Sequence, residues 1–295
     1  SANSFLTLID SHTSGSGRGG NVQLTTRNLI VSGDPSAPPL FIDSGTGGEG
    51  RGGDVTITAG SALFSNAGIN TGDSILPGVG SGGDLSIKVD SLRLETISFG
   101  TDSLNARAGN LNLDARGDLV ITGNSSIGSL SLEGQNSIAV AADKFVMNDS
   151  SAILSQTALG SGEGVTITAR HVELSNGGRI ASQTFGDGVA GGIGITATER
   201  VIFSDSAETS SPSGLFTNSF GDAGLGDTGR AGSITVNTPI LEMIGGARIN
   251  SATQSSGRGG DVTIASDRVS ISGGAAFDIQ GEVFGAIPNR ASGVY

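Results

Sequence analysis

The octapeptide GRGGDVTI occurs twice in this chain, at residues 50–57 and again, unchanged, at residues 257–264. Close variants lie between the two copies: GSGGDLSI from Gly80, GSGEGVTI from Gly160 and GRAGSITV from Gly229. A segment that returns many times along a chain is the signature of a repeat architecture, in which each repeat is one small structural unit. The period of this repeat therefore decides the fold.

The period is set by the first aliphatic residue after each glycine cluster, which we call the anchor. The anchors are Val22, Val55, Leu85, Leu111, Ile138, Val165, Ile193, Ile234 and Val262. Subtracting neighbouring numbers gives spacings of 33, 30, 26, 27, 27, 28, 41 and 28 residues. The residue two positions after every anchor is also aliphatic, which indicates a β-strand with one buried face.

Each repeat carries two further strand signals. A second alternating apolar pair follows the first, as in Leu92/Leu94 and Val172/Leu174. After a turn of Gly, Asn or Ser comes a third apolar residue. These third residues are Ile69, Phe99, Ile127, Ile153, Ile180, Ile249 and Phe277. A repeat of three short strands cannot form a sheet by itself, so the repeats must stack on one another.

Stacking predicts a parallel β-helix, in which each repeat makes one coil and equivalent strands pair about 4.8 Å apart. We expect an all-β solenoid of about nine coils that occupies residues 1–295 as a single segment. The general rule for parallel crossovers predicts a right-handed coil. An α-helical interpretation fails, because no segment keeps a period of 3.6 residues and Gly or Pro recurs every few positions.

Composition removes several classes of function. The 295 residues include 50 glycines, no tryptophan and no cysteine, and the net charge is −12. The negative charge argues against nucleic acid as a partner, since little here would neutralise phosphates. There is no apolar run of about 18 residues, so no membrane span is expected. The lack of cysteine excludes disulfide and thiol chemistry.

The glycine-rich corner is predicted to be structural. We expect its glycines to adopt positive φ and to relieve crowding between coils. The residue before each anchor is short and polar, as at Asp54 and Asp84, and such side chains typically fold back onto turn amides. Arg recurs four residues before several anchors, which places Arg51 within reach of both aspartates.

Two ligand-binding interpretations compete with this one. A phosphate loop requires a Gly-Lys-Ser/Thr ending before a helix, whereas GRGGDV has no lysine and leads into a strand. Structural calcium on Asp54 and Asp84 is the stronger alternative, because GEGRGGDVTI partly matches the glycine-aspartate nonapeptide of calcium-binding β-rolls. That motif repeats every nine residues, whereas these aspartates recur once per coil, so we expect no metal and no cofactor.

An enzyme acting on polysaccharides is the third class considered. Such chemistry needs clustered carboxylates in a cleft, and the aspartates here lie on a turn. The only histidines, His12 and His171, fall at unrelated coil positions, and His171 is expected to face solvent. We therefore expect no catalytic residues and no enzymatic activity.

Two stretches exceed the ordinary coil length and are predicted to be surface loop insertions. They are residues 33–50, which are rich in proline, and residues 204–230. The second contains Leu215, Phe216 and Phe220 among polar residues, and insertions in a solenoid often form its binding face. Two alternatives follow: a loop whose phenylalanines cover the solenoid wall, or a loop that binds a partner.

The repeats at residues 50–71 (GRGGDVTITAGSALFSNAGINT), 162–184 (GEGVTITARHVELSNGGRIASQT) and 257–279 (GRGGDVTIASDRVSISGGAAFDI) resemble those of filamentous haemagglutinin-like exoproteins. The resemblance covers nearly the whole chain. It implies a β-helix within a very large bacterial protein exported by two-partner secretion. The Asn-Pro-Asn-type motif of the family's secretion domain is missing, and the nearest match is Pro288–Asn289, so an interior or distal segment is expected.

The expected function is a structural shaft in a secreted or cell-surface adhesin. The alternative is a subunit that stacks end to end into an extracellular filament, because neither end of the sequence shows a capping element. The expected partners are neighbouring repeats or further copies of the chain, together with glycans or proteins of a host or surface.

Overall fold

The structure is a computed structural model that describes residues 6–72, 80–103, 106–134, 136–205, 211–221, 228–273 and 293–294. These residues form strands joined by turns. The strands are β1 (Leu6–Asp10), β2 (Val22–Ser32), β3 (Leu40–Asp43), β4 (Val55–Asn70), β5 (Leu85–Gly100), β6 (Leu111–Ala115), β7 (Asp118–Thr122), β8 (Ser126–Ser131), β9 (Ser137–Met147), β10 (Ala152–Thr157), β11 (Gly164–Ser175), β12 (Arg179–Thr184), β13 (Gly192–Ser204), β14 (Gly214–Ser219), β15 (Ile234–Asn237), β16 (Ile240–Ile244), β17 (Arg248–Thr253), β18 (Val262–Ala265), β19 (Arg268–Ser272) and β20 (Gly293–Val294).

The strands form a parallel β-solenoid of about eight turns, close to the nine coils predicted. Every strand pairing recorded in the described residues is parallel. Each coil has a first, a second and a third side. In one central coil β11 supplies the first two sides and β12 supplies the third. The right-handed sense of the coil stays a prediction.

The predicted anchors are confirmed. Each lies at the first or second residue of a first-side strand, and successive anchors pair directly, as Val165 does with Ile138 and Ile193. The aliphatic residues two positions further on form a second interior ladder. Ile167, for example, is fully buried and pairs with Val140 and Ile195. Stacked aliphatic side chains thus form one core along the interior of the solenoid.

The third-side residues predicted from the sequence are buried wherever the structure describes them. Ile69, Ile127, Ile153, Ile180 and Ile249 are each 0% exposed. Phe99 is 1% exposed and makes an edge-to-face contact with Phe64 of the preceding coil, with ring centroids 5.3 Å apart. Phe277 lies outside the described residues.

The two predicted surface insertions require correction. Within residues 33–50, β3 forms the third side of its coil, pairs with β1 and β4, and buries Ile42 completely. Within residues 204–230, β14 occupies the same position, pairs with β12 and β17, and buries Leu215 completely. Each stretch therefore contains an ordinary solenoid strand, which forms the third side of its coil.

Candidate functional site

The most regular polar feature is a ladder along the glycine-rich corner. Asn21 Oδ1 accepts a hydrogen bond from the Asp54 amide at 3.0 Å, and Asp54 Oδ1 accepts one from the Asp84 amide at 3.0 Å. Asp84 Oδ1 accepts from the Asn110 amide at 2.8 Å, and Asn110 Oδ1 accepts from the Ser137 amide at 3.2 Å. We call these five residues the corner ladder.

The prediction that these side chains cap their own turns is therefore wrong. The first four each accept from the equivalent residue of the next coil, because parallel strands place that amide about 4.8 Å away and in register. The side chains join neighbouring coils rather than closing single turns.

Arginines balance the charge of the corner ladder. Arg51 Nη2 lies 3.0 Å from Asp54 Oδ1 and 3.4 Å from Asp84 Oδ2, which confirms the predicted exterior pairing. Arg18 Nη2 lies 2.6 Å from Asp54 Oδ2. Because these groups are partly exposed to solvent, each ion pair contributes little, about 0–1 kcal/mol.

The same contacts bear on the alternative of calcium at Asp54 and Asp84. Both oxygens of Asp54 face arginine or amide donors, and Asp84 accepts from Asn110 and Arg51. Among the described residues, no group of three or more His, Cys, Asp or Glu side chains is placed to hold a metal ion. The geometry supports the structural interpretation of these two aspartates.

The glycines of the corner are needed for close packing between coils. A Cβ atom on Gly53 would lie 2.1 Å from the carbonyl oxygen of Gly20, and one on Gly83 would lie 2.1 Å from that of Gly53. The expectation of positive φ is wrong at Gly53, Gly83 and most other corner glycines, although Gly134 and Gly164 do have positive φ. Positive φ values are found largely in the turn between the second and third sides, as at Asn66, where φ is 45°.

A second set of bonds ties the corner to the third side. Thr101 Oγ1 donates to the Gly109 carbonyl at 2.8 Å, and the Gly109 amide donates to the Thr101 carbonyl at 3.1 Å. Thr71 and Gly83 make the same two bonds at 2.6 and 2.7 Å. We call this reciprocal pair of bonds the hydroxyl clamp. The hydroxyl clamp gives the buried threonine hydroxyl a hydrogen-bond acceptor. It also links the third side of one coil to the corner that follows it.

A shallow depression of about 400 Å³ lies over the corner ladder. Its charged lining residues are Arg51, Asp84, Arg107 and Glu163. Two cations face two anions here, so the depression has no dominant charge. It is the outer surface of the corner rather than a cleft between elements.

The two histidines lie in different environments, as their unrelated coil positions predicted. Exposed His12 contacts Asp10 through Nδ1 at 2.5 Å, and this hydrogen bond raises the pKa of His12. His171 is largely covered, with 17% of its side chain exposed, so the expectation that it faces solvent is wrong. Burial lowers the pKa of His171, and neighbouring Lys144 lowers it further.

The three apolar residues of the predicted partner-binding loop have three different positions. Leu215 is in the core, as described above. Phe216 points outward from β14 and is half-buried between the register positions of Ala181 and Asn250. Phe220 stacks on Phe185, with ring centroids 5.6 Å apart and an interplanar angle of 19°.

Phe185 and Phe220 belong to an apolar surface patch that the sequence did not indicate. Leu159 is 62% exposed, Phe185 is 49% exposed and Val189 is 37% exposed. Leu159, Phe185 and Phe220 follow the third-side strands β10, β12 and β14 of three successive coils, and Val189 lies in the corner after Phe185. We call Leu159, Phe185, Val189 and Phe220 the outer patch.

The fold and these sites define a parallel β-solenoid with polar ladders at its corner. Comparison of the chain with protein-family models, with curated proteins and with solved structures found no match. In the part of the chain that the structure describes, no helix has the length and apolar character needed to cross a membrane.

Proposed function

We propose that this chain is a segment of the structural shaft of a large secreted or cell-surface bacterial adhesin. The observation that carries the proposal is the unbroken parallel register of the first side, from Val22 on β2 to Ala265 on β18. Each coil of a solenoid contacts only its neighbouring coils, so the number of coils can vary without a change of architecture. The resemblance of the repeats to filamentous haemagglutinin-like exoproteins supports export by two-partner secretion.

The alternative, a filament subunit, is favoured by the last described coil. Val269 and Ile271 on β19 are 46% and 48% exposed, whereas their partners in the preceding coil, Leu241 and Met243, are fully buried. Among the described residues β19 pairs only with β16, and a strand edge of this kind beside apolar side chains accepts a further strand readily. That strand can come from more of the same chain or from a second copy.

The outer patch is the surface we propose for contact with a partner, either a protein or a glycan of a host or other surface. The sequence predicted Leu215 as part of a partner-binding surface, but Leu215 is buried and cannot contact a partner. Phe220 stays part of the outer patch through its contact with Phe185.

The shaft is tested by deleting one whole coil, residues 138–164, and examining the purified protein. We expect a folded, elongated particle that melts cooperatively and is shorter by about 4.8 Å, the spacing between paired strands. A variant that fails to fold, while the unaltered chain folds, would contradict the repeat-by-repeat construction on which the proposal rests.

Electron microscopy and ultracentrifugation of the unaltered chain separate the remaining classes. Long filaments that grow with protein concentration would favour the filament subunit over the shaft. Release of new reducing ends from acidic polysaccharides would overturn both and establish an enzyme.

A further inference from the structure

The interior of the third side is not entirely apolar. Its strands share one pattern, in which the buried apolar residue is followed two positions later by Ser or Thr and, except after Ile69, four positions later by Ser or Thr again. The buried members are Ser44, Thr46, Thr71, Thr101, Ser103, Ser129, Ser131, Ser155, Thr157, Ser182, Thr184, Thr217 and Ser219. A hydroxyl taken out of water needs a hydrogen-bond partner, because burial without one costs free energy.

Towards both ends of the solenoid that partner is a backbone carbonyl of the glycine-rich corner. Thr71 and Thr101 belong to hydroxyl clamps on the amino-terminal side. On the other side Thr217 Oγ1 donates to the Gly232 carbonyl at 2.5 Å, and Ser251 Oγ donates to the same carbonyl at 3.1 Å. The protein satisfies these hydroxyls by itself.

The central coils differ. Ser155 Oγ, Thr157 Oγ1 and Ser182 Oγ have no hydrogen-bond partner among the described residues, and neither has Asn136 Oδ1. None of these four residues is more than 1% exposed. We call the four atoms the central polar cluster.

Register and hydrogen bonding bring the cluster together. Ser155 pairs directly with Ser182 on the next coil, and both side chains point inward. The Asn136 side-chain amide donates to the Gln156 carbonyl at 3.4 Å, so its Oδ1 lies beside the strand that carries Ser155 and Thr157.

The corner that follows Ser155 differs from most of the others. Glu163–Gly164 stands where five other coils have Gly followed by Asp or Asn, and Gly164 has a φ of +89°. A positive φ turns the preceding peptide plane, so the Glu163 carbonyl does not serve as an acceptor.

The corner also stands farther from the third side in this region. A Cβ on Gly52 would lie 2.1 Å from the Thr71 carbonyl oxygen, and one on Gly82 would lie 2.5 Å from that of Thr101. At the equivalent Gly162 the nearest atom, the Gly191 nitrogen, is 3.0 Å away, and the nearest third-side atom, Thr157 Cγ2, is 3.7 Å away. At Gly162 the corner therefore approaches the third side less closely than at Gly52 and Gly82.

We propose that the central polar cluster is an internal binding site for ordered water. The cluster combines three hydroxyls, which must donate, with one amide oxygen, which can only accept. Water can accept from the first and donate to the second, and a buried water typically makes about three hydrogen bonds. A metal cation would use the oxygen lone pairs but would leave the hydroxyl protons without acceptors. The proposal is independent of the proposed function.

A high-resolution crystal structure of the whole chain tests the site directly. We expect at least one ordered water within hydrogen-bonding distance of two or more of the four atoms. Direct bonding of all four atoms to protein groups would overturn the proposal. So would a cation with oxygen ligands at about 2.3–2.6 Å, the distances typical of calcium.

Matched variants test it in solution. Magnetic relaxation dispersion counts long-lived internal waters, and we expect Thr157→Val to lower that count by at least one. Thr101→Val is the control, because the Thr101 hydroxyl already donates to Gly109, and its count should equal that of the unaltered chain. Ser182→Ala provides a second, smaller change if Thr157→Val does not fold. An unchanged count in every folded cluster variant would overturn the proposal.

Discussion

The corners of the first four coils and those of the central coils are joined to the next coil in different ways. From Asn21 to Ser137 the corner ladder joins each coil to the next. In the central coils Gly164 and Gly192 occupy the ladder position and have no side chain to offer. The parallel register of the first side nevertheless continues unchanged through both glycines. The backbone hydrogen bonds and the aliphatic interior therefore maintain the solenoid, and the corner ladder adds further bonds between coils where it is present.

The largest effects should come from the interior that both regions share. Ile87 in the first region and Ile167 in the central region are each fully buried between two aliphatic partners. Ile87→Asp and Ile167→Asp should each lower the free energy of unfolding by several kcal/mol, because the carboxylate would be buried without a partner. Thermal and urea melting measure both.

Thr166 is the control for this pair, since it is exposed one residue before Ile167. Thr166→Asp should melt close to the unaltered chain. Equal losses at residues 166 and 167 would contradict the register of β11.

A medium effect should distinguish the two regions. Gly52→Ala places a methyl group 2.1 Å from a backbone oxygen, so we expect a loss of about 1–3 kcal/mol, as for other overpacked sites. Gly162→Ala meets its nearest atom at 3.0 Å and should cost clearly less. Urea unfolding of the two variants gives the comparison. A larger loss at Gly162 would show that the central corner is as tightly packed as the first.

A smaller effect should follow pH through His171. Its pKa is lowered by burial, and Lys144 and Arg200 lower it further against the opposing Glu173. The unfolded chain therefore binds the proton more readily, so stability should fall as the pH drops below the ordinary histidine pKa of about 6.5. The melting temperature between about pH 5 and pH 8 measures this dependence.

His171→Gln should flatten that part of the pH profile. His12→Gln serves as the control, because the pKa of His12 is raised and its contribution is instead lost as the pH rises. A profile that keeps its slope in the His171 variant would assign the dependence to another group.

The smallest expected effect is that of calcium removal. Because the oxygens of Asp54 and Asp84 already accept from arginine and amide donors, a chelator should leave the melting temperature unchanged. Ligand binding to the folded state raises stability by mass action. A fall of more than a few degrees on chelation would therefore establish a calcium site.

The sequence predicts those parts of the fold that depend on a single repeated pattern. The alternation after each anchor is enough to place the first-side strands, since burial on one face requires it. The third sides at Ile42 and Leu215 are missed because each short apolar stretch is flanked by loop-like sequence. The Ser/Thr pattern after Ile42, at Ser44 and Thr46, is the signal that could have found them.

The polar contacts are less accessible to sequence reasoning, for a physical reason. The side chain of Asp54 could bond within its own turn or to the next coil, and only the spacing of coils decides between the two. The central polar cluster depends on the backbone angle at Gly164 and on the distance between corner and third side. The replacement of Gly-Asp by Glu163–Gly164 marks this corner in the sequence, but the backbone angle and the distance can be read only from the structure.

The corner ladder also has a direction. The side chains of Asn21, Asp54, Asp84 and Asn110 each accept from the amide of the coil that follows, and Ser233 Oγ repeats this with the Asp261 amide at 3.2 Å. A folded coil thus presents an acceptor, already in register, to the chain that comes after it. A coil that folded ahead of its predecessor would lack that acceptor for its own amide. The corner ladder therefore has the polarity of the chain itself, with each accepting side chain on the coil that comes first in the sequence.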